Sequence, residues 1–281
     1  MKKIVLCPNP TRDKGLAYTA KVKQMLEENG FATAVSPVYG TADSFMEQTP
    51  LDMAVKDASL LVTLGGDGTI LKIAPDVMAE QLPIIGVNLG HKGFLAALNP
   101  EDTDMLLAAA RGEGSVVPRM MVDVTVTRNG RVIFRDTALN DAVITGVTRN
   151  VRLTAMDGEA RIMSFSGDGI IVCTPTGSTG YCLSAGGPLA EPGAENIILT
   201  PICAHDLASR SFVLGPERVV NVCPEQLEDR RCVLSADGRS NVDLRDGDRV
   251  TVKKSAYKTL LVHIGEKSFY DTAFEKLGDG R

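Results

Sequence analysis

One carboxylate stands among three glycines in residues 61–69, which read LVTLGGDGT. The apolar start of this stretch predicts a strand, and residues 70–74 predict the first turn of a helix. A glycine turn between a strand and a helix directs backbone N–H groups and the positive end of the helix dipole towards one point, which favours phosphate. Asp67 would repel that phosphate, so its presence there favours holding a cation or accepting a proton from an attacking hydroxyl.

The same residues are also typical of an ordinary turn, because glycine permits positive φ and aspartate hydrogen-bonds to its own backbone. Two better-known phosphate motifs are excluded. The P-loop pattern G-x-x-x-x-G-K-[ST] does not occur in the chain, and Leu71 stands where a dinucleotide fingerprint has its third glycine.

A second polar cluster lies in the other half of the chain. It begins with Asp168 between two glycines, continues through a predicted strand at 170–173, and ends in residues 174–181, TPTGSTGY. Five hydroxyl side chains and two glycines within those eight residues suit the phosphates, ribose and amide of a nucleotide. The alternative is that Ser178 or Thr179 caps a helix. A second tight loop follows at 184–188.

Three other places hold candidate ligands, each with a structural alternative. Asn140 and Asp141 could grip both hydroxyls of a ribose, but Asn-Asp is also a common turn pair. Phe94 follows a predicted strand and could stack on a ring or simply pack. His205 is a lone histidine in residues 201–207, PICAHDL, and a lone histidine is more often a structural hydrogen-bonder than a catalyst.

Composition limits the class of protein. The chain has 281 residues, 44% hydrophobic and 23% charged, which suits a soluble protein of two domains or one large one. The net charge of −5 argues against a nucleic-acid or anionic-membrane binder. Six scattered cysteines without a C-x-x-C pair predict reduced thiols in a cytoplasmic protein. The short apolar run at 4–7 predicts no signal peptide, and no apolar run approaches the length of a membrane span. No metal ligand is directly assignable.

The elements that must position these residues fall into two groups. Strands alternate with helices through 1–115, including weak helical segments at 43–48 and 52–56, which predicts a Rossmann-like parallel α/β domain. Ligands of such sheets bind beyond the carboxyl ends of the strands, where Asp67 lies. Residues 116–258 alternate in short strands, with a hairpin signal at Asn129-Gly130, and predict a β-rich, β-sandwich-like domain. The segment 259–281 is expected to pack back on the first domain.

Together these motifs resemble the NAD kinase family over almost the whole chain. The resemblance depends on a set of short motifs: GGDGT at 65–69, NLG at 88–90, GFL at 93–95, LND at 139–141, DG at 168–169, TPTGSTGY at 174–181 and SAGGP at 184–188. It implies Mg²⁺-dependent phosphoryl transfer from ATP to the adenosine-ribose 2′-hydroxyl of NAD(H), giving NADP(H), by a homodimer or homotetramer that binds neither membrane nor nucleic acid.

The resemblance also implies residue roles. Asp67 would accept the proton of the 2′-hydroxyl. In the first half of the chain, Gly66, Gly68 and Thr69 would contact phosphate or nucleotide backbone, and Phe94 would contact a ring. In the second half, Asn140 and Asp141 would bind the NAD ribose, and Asp168 would bind the carboxamide end. The residues that would line or adjoin that pocket are Thr179, Gly180, Tyr181, Ser184 and His205.

Four positions depart from the family pattern. Asp141 replaces the usual Glu and is one methylene shorter. Ser166 replaces an Arg common near the nicotinamide, which leaves the preference between NAD and NADH open. Gly180 replaces an alanine, and Arg239 occupies a substrate-contact position in the late Asp-Gly turn without an assignable role.

Two other functions stay open at this point. A lipid kinase of the diacylglycerol type shares the glycine turn, but it would need a membrane-facing apolar or basic surface. A non-catalytic NAD(P)-binding regulator would have no need of Asp67. The sequence does not decide between ATP and polyphosphate as donor.

Overall fold

The computed structural model describes residues 1–90, 93–206 and 209–278. The chain forms two compact units. The first contains Met1–Pro118 together with the chain from Thr259 onward, and the second contains Arg119–Lys258. The domain limits proposed from the sequence, at 115 and 258, stay a prediction.

The first unit is a parallel sheet with helices. Its elements in chain order are β1 (Lys3–Pro8), α1 (Ala17–Glu28), β2 (Ala32–Val35), α2 (Leu51–Ala54), β3 (Ala58–Gly65), α3 (Asp67–Val77), β4 (Ile84–Asn88) and α4 (Thr103–Arg111). The strand order is β2-β1-β3-β4, and each neighbouring pair is parallel. β1 and β4 are buried almost throughout, because a parallel sheet is covered on both faces.

One predicted element of this unit is wrong. Residues 43–48 do not form a helix: 43–46 are bends, and 47 and 48 have no regular structure. The side chain of Gln48 accepts a hydrogen bond from the N–H of Ala42 and donates one to its carbonyl, both at 2.8 Å. This loop closure gives the backbone an alternative to helical hydrogen bonds, and Phe45 is left fully exposed.

The second unit consists mainly of antiparallel strands. They are β5 (Ser115–Arg128), β6 (Arg131–Ala138), β7 (Asp141–Gly146), β8 (Val151–Asp157), β9 (Ala160–Gly167), β10 (Gly169–Cys173), β11 (Ile197–Ile202), β12 (Phe212–Leu214), β13 (Val219–Glu225), β14 (Cys232–Ala236) and β15 (Ser240–Leu244), with the short helix α5 (Tyr181–Ser184) after β10. One sheet has the order β12-β11-β10-β7-β14-β15, and β13, β8 and β9 pair in another.

The two sheets of this unit bury one common core. Val124 of β5, Leu153 of β8 and Val222 of β13 belong to the same buried cluster as Ile144 of β7 and Leu234 of β14. Shared burial of this kind is what holds two antiparallel sheets face to face. The predicted fold class, parallel α/β followed by a β-rich, sandwich-like part, is confirmed.

The end of the chain returns to the first unit. The long strand β16 (Arg249–His263) pairs with β13 through its first half, and near its end Leu261 pairs in parallel with Ile84 of β4. Helix α6 (Phe269–Leu277) follows. Among the described residues, none of the helices has the length and apolar character needed to cross a bilayer. All six cysteines are free thiols.

Candidate active site

The glycine turn lies at the carboxyl edge of the parallel sheet. Gly65 ends β3 and stands in register with Asn88 at the end of β4, and the N–H of Leu89 donates to the Gly65 carbonyl at 2.6 Å. Gly66 is the N-cap of α3. The hydroxyl of Thr69 is buried and accepts a hydrogen bond from the Gly66 N–H at 3.2 Å. That hydroxyl therefore helps to shape the turn.

Asp67 is held by three consecutive backbone N–H groups. Its Oδ2 accepts from Phe94 at 2.5 Å, and its Oδ1 accepts from Leu95 and Ala96 at 3.0 Å each. A carboxylate has about four lone-pair sites, so one acceptor position remains, on Oδ2. The half-buried carboxylate is thus fixed at the N-terminus of α3, and its Oδ2 can accept one more hydrogen bond.

Gly93 makes this arrangement possible. A Cβ at residue 93 would lie 1.8 Å from Oδ1 of Asp67 and 2.2 Å from its Cγ. The sequence identified Phe94 as a candidate but not the N–H groups of Leu95 and Ala96, nor the need for glycine at 93. The preceding residues of the same loop, His91 and Lys92, lie outside the described part of the chain.

The ring of Phe94 has two neighbours from the C-terminal helix. The centroid of Phe269 lies 6.3 Å away at an interplanar angle of 45°, and Nζ of Lys276 lies 4.1 Å from the Phe94 centroid. In this structure the ring therefore packs. At the same sheet edge, the guanidinium of Arg12 lies beside Gly90, where an added Cβ would be 3.5 Å from Nη1. The sequence pattern gave no signal for Arg12.

In the second unit, a second aspartate holds the predicted ribose-binding pair. The carboxylate of Asp237 accepts from the N–H groups of Leu139, Asn140 and Asp141 at 2.7, 2.8 and 3.0 Å. Asp237 was predicted only as part of an Asp-Gly turn. Its buried carboxylate fixes the backbone that presents Asn140 and Asp141.

Asn140 and Thr176 each have an unused buried polar atom. Oδ1 of Asn140 and Oγ1 of Thr176 are enclosed and have no hydrogen-bond partner in the protein. Gly177 allows the two segments to approach, because a Cβ there would lie 2.3 Å from the Asn140 carbonyl oxygen. Thr174 ties them together by donating its hydroxyl to Leu139 O at 2.6 Å. Buried polar atoms without partners are expected where a ligand supplies them.

Asp141 is an unusual carboxylate. It is buried, and that burial, with the negative charges of Asp237 and Cys182 nearby, raises its pKa to about 7. Burial also raises the pKa of Asp237, although its three N–H donors and Arg239 oppose the shift. Since Asp237 has those donors, we assign the retained proton of the pair to Asp141.

The hydroxyl-rich segment does not cap a helix through its side chains. Gly180 is the N-cap of α5 and makes no side-chain cap. The hydroxyl of Ser178 donates instead to Pro175 O at 2.6 Å, and that of Thr179 donates to Thr176 O at 3.1 Å. The helix-cap alternative for Ser178 and Thr179 is therefore wrong. On α5, Tyr181 and Ser184 are exposed and available to a ligand.

Three other predicted residues lie near the ends of β9 and β11: Ser166 next to the last residue of β9, Asp168 directly after β9, and His205 after β11. The N–H of His205 donates to Ser166 O at 2.9 Å, and the His205 ring contacts Asn150 at 3.4 Å. The exposed thiol of Cys203 lies next to Asp168, whose hydrogen bond and negative charge raise the thiol pKa. Cys203 was not among the predicted site residues.

Arg239 has a structural contact. Its Nη2 donates to Oδ1 of Asp136 at 2.5 Å and to the carbonyl of Thr137 at 2.7 Å. These bonds attach the Asp237-Gly238 turn to the end of β6.

The predicted residues thus divide between the two units. The first unit contains Gly66, Asp67, Gly68, Thr69 and Phe94, and the second contains Asn140, Asp141, Ser166, Asp168, Thr179, Gly180, Tyr181, Ser184, His205 and Arg239. Within the described ranges, no three His, Cys, Asp or Glu side chains converge as metal ligands would.

Comparison with known proteins gives matches over the whole chain. Residues 11–112 match the family model described as "ATP-NAD kinase N-terminal domain", and 118–264 match "ATP-NAD kinase C-terminal domain". The chain is 36% identical to the NAD kinase of Acetivibrio thermocellus, with 99% of this chain and 98% of the relative covered. It is 35% identical to the NAD kinase of Lachnoclostridium phytofermentans, with 99% and 100% covered.

Two solved structures have the same fold. Yeast NADH kinase complexed with NADH superposes with a TM-score of 0.85 at 22% identity, covering 100% of this chain and 88% of the other. An NAD kinase from Archaeoglobus fulgidus in complex with ATP superposes with a TM-score of 0.75 at 24% identity, covering 99% of both chains.

Proposed function

The chain belongs to the NAD kinase family, and from that membership we propose that it transfers the terminal phosphoryl group of ATP to the adenosine-ribose 2′-hydroxyl of NAD(H). The product is NADP(H). Phosphoryl transfer needs accurate positioning and neutralisation of charge, and the attacking hydroxyl needs a group that accepts its proton.

The geometry of Asp67 is the observation that best supports this function. Three N–H groups fix the carboxylate, and one acceptor position is left on Oδ2. A ribose hydroxyl donating to that position would be oriented by the same contact that removes its proton. We assign Asp67 the role of proton acceptor, and we assign Gly66 and Gly68 backbone contacts with phosphate at the N-terminus of α3.

The second unit supplies the NAD-binding residues of this proposal. The unpartnered Oδ1 of Asn140 and the carboxyl of Asp141 would accept ribose hydroxyls. Asp168 would bind the carboxamide end, and the exposed Tyr181 would lie against a ring. Asp141 is shorter than the family's usual glutamate, so its ribose contact is expected to be longer or bridged by water.

Mg²⁺ fits this site as a companion of ATP. Magnesium is usually bound through substrate phosphates and one or two carboxylates, with several waters retained. No cage of three carboxylate, thiol or imidazole ligands is present among the described residues, so we assign no protein ligand. The ion would neutralise charge on the triphosphate, and Arg12 would add a cation at the same sheet edge.

The cellular setting is part of the proposal. Six free thiols suit the reducing cytoplasm, and we expect a homodimer or homotetramer there. Sedimentation of the purified protein would measure the number of subunits.

The nearest alternative is a lipid kinase that uses the same glycine turn. The second unit favours a nucleotide acceptor, since the unpartnered buried oxygens of Asn140 and Thr176 suit the hydroxyls of a ribose. Incubation with labelled ATP, Mg²⁺ and NAD, NADH or diacylglycerol separates the two. We expect labelled NADP(H). Labelled phosphatidic acid would support the lipid kinase, and no labelled product with any acceptor would support a non-catalytic regulator.

Asp67→Asn tests the assigned base. We expect kcat to fall by at least about 100-fold, because an amide cannot take the hydroxyl proton. NAD binding, measured by calorimetry, should stay within about twofold of wild type. Activity close to wild type in this variant would remove Asp67 from its role.

A further inference from the structure

The C-terminal helix α6 contacts the loop that fixes Asp67. Phe269, the first residue of α6, packs its ring against Phe94, and Lys276 near the other end of the helix places its ammonium over the same ring. The backbone N–H of Phe94 in turn donates to Oδ2 of Asp67 at 2.5 Å. A continuous set of contacts therefore runs from α6 to the carboxylate.

Helix α6 is well formed in its own right. Ser268 is a capping-box residue: its hydroxyl accepts the Asp271 N–H at 3.1 Å, and Asp271 accepts the Ser268 N–H at 2.8 Å. Lys267 is also paired with Glu275 at 2.5 Å. The capping box fixes where the helix begins, and so it fixes the positions of Phe269 and Lys276. The pair between Lys267 and Glu275 is exposed and contributes little to the helix.

The same helix is only partly buried. None of its residues is fully buried, and Tyr270 and Phe274 are mostly exposed. Elements with few buried apolar contacts lie at the low end of local stability, so small changes there alter their positions.

We propose that Phe269 and Lys276 are positioning residues for phosphoryl transfer, which act by clamping Phe94 so that its N–H holds Asp67 in place. This inference rests on the proposed NAD kinase function. A cation over an aromatic ring at an exposed site is worth ~0.5–1 kcal/mol. If a variant loses this stabilisation in the transition state but not in the substrate-bound ground state, its kcat falls about 2- to 5-fold.

Lys276→Ala tests the clamp, with Lys276→Arg as the conservative variant and Lys267→Ala as the matched control. All three substitutions lie on α6 or directly before it. Lys267→Ala removes one positive charge, as Lys276→Ala does, but the Lys267 side chain is paired with Glu275 and not with the Phe94 ring. We expect Lys276→Ala to lower kcat about 2- to 5-fold with KM for NAD and ATP nearly unchanged. Lys276→Arg should restore kcat, since guanidinium also binds an aromatic face.

A second measurement does not depend on activity. Amide hydrogen exchange at residues 94–96 should become faster in Lys276→Ala and in Phe269→Ala, because the N–H bonds to Asp67 open more often. Lys267→Ala and Phe274→Ala should leave that exchange unchanged.

The outcomes separate this inference from the function on which it rests. If the wild-type protein forms no NADP(H), the proposed function fails. If wild type is active but Lys276→Ala keeps its kcat, the clamp is overturned. A lower KM for NAD with unchanged kcat in Lys276→Ala would also overturn it, since Lys276 would then be competing with the nucleotide for the ring.

Discussion

Asp67 and Asp237 perform the same task in different units. Each carboxylate accepts three consecutive backbone N–H groups of a segment distant in sequence, 94–96 for one and 139–141 for the other. Each segment adjoins residues assigned to substrate. A carboxylate that accepts several N–H bonds fixes a loop more firmly than a neutral side chain would, because bonds to a charged acceptor are the stronger kind.

Asp141 predicts a dependence of NAD binding on pH. Burial raises its pKa to about 7, so the carboxyl is largely protonated at pH 6 and ionised at pH 8. An ionised carboxylate accepts hydrogen bonds from ribose hydroxyls more strongly than a protonated one. We therefore expect KM for NAD to fall as pH rises from 6 to 8, measured at saturating ATP.

Asp141→Asn is the control for this prediction, because an amide does not titrate. Its KM for NAD should be nearly independent of pH, and an unchanged pH dependence in the variant would contradict the assignment. Stability should respond in the opposite sense. The folded state keeps the Asp141 proton up to about pH 7, whereas the unfolded carboxyl loses it near pH 4, so stability falls between those values and stays lower above them.

The sequence could identify these aspartates but not their partners. An Asp-Gly pair predicts a turn in which the carboxylate binds its own backbone. In the structure, Asp67 instead accepts from Phe94, 27 positions away, and Asp237 accepts from Leu139, 98 positions away. Such long-range pairing follows from strand order in the sheets, which no local pattern contains. The resemblance to a family identified roles for Asn140 and Asp141, whereas the roles of Asp237, Gly93 and Arg12 became visible only in three dimensions.

At the level of elements, the turn before α3 and the loop after β4 form one unit around the Asp67 carboxylate. Gly93→Ala tests this directly. The added Cβ would lie 1.8 Å from Oδ1, so the carboxylate must move and lose N–H bonds. A displacement of about 1 Å at a reacting group can cost roughly 100-fold in rate. We expect kcat to fall by about that factor.

Gly193→Ala is the control for a glycine replacement in general, because a Cβ there would meet nothing within 4 Å. Its kcat should equal that of wild type. If Gly93→Ala also keeps its kcat, the bonds between Asp67 and residues 94–96 are not needed for turnover.

Elements with strong local signals were predicted well, and elements decided by side chains were not. The apolar strand before the glycine turn and the Asn129-Gly130 hairpin are both present. The predicted helix at 43–48 is absent, because Gln48 bonds the backbone of Ala42 across six residues. Local propensity does not contain that competing bond.

On the scale of the whole molecule, the chain leaves the first unit after Pro118 and returns to it at Thr259. The first unit therefore cannot complete its sheet until the end of the chain is available. Leu261 of β16 pairs in parallel with Ile84 of β4 and is buried. Leu98 pairs with the later part of the same β4 edge, at Gly86 and Asn88. Without β16, the edge at Ile84 would expose unpaired backbone groups.

Leu261→Ala measures what this late strand contributes. Removing a buried leucine side chain costs about 2–5 kcal/mol of unfolding free energy, whereas Leu277→Ala on the exposed side of α6 should cost less than about 0.5 kcal/mol. Chemical denaturation of the two variants gives both values. Amide hydrogen exchange then locates the effect: we expect faster exchange in β4 of the Leu261→Ala protein and unchanged exchange in β7 and β14. A uniform increase in both units would mean that the returning strand stabilises the molecule in general and not the sheet that presents Asp67.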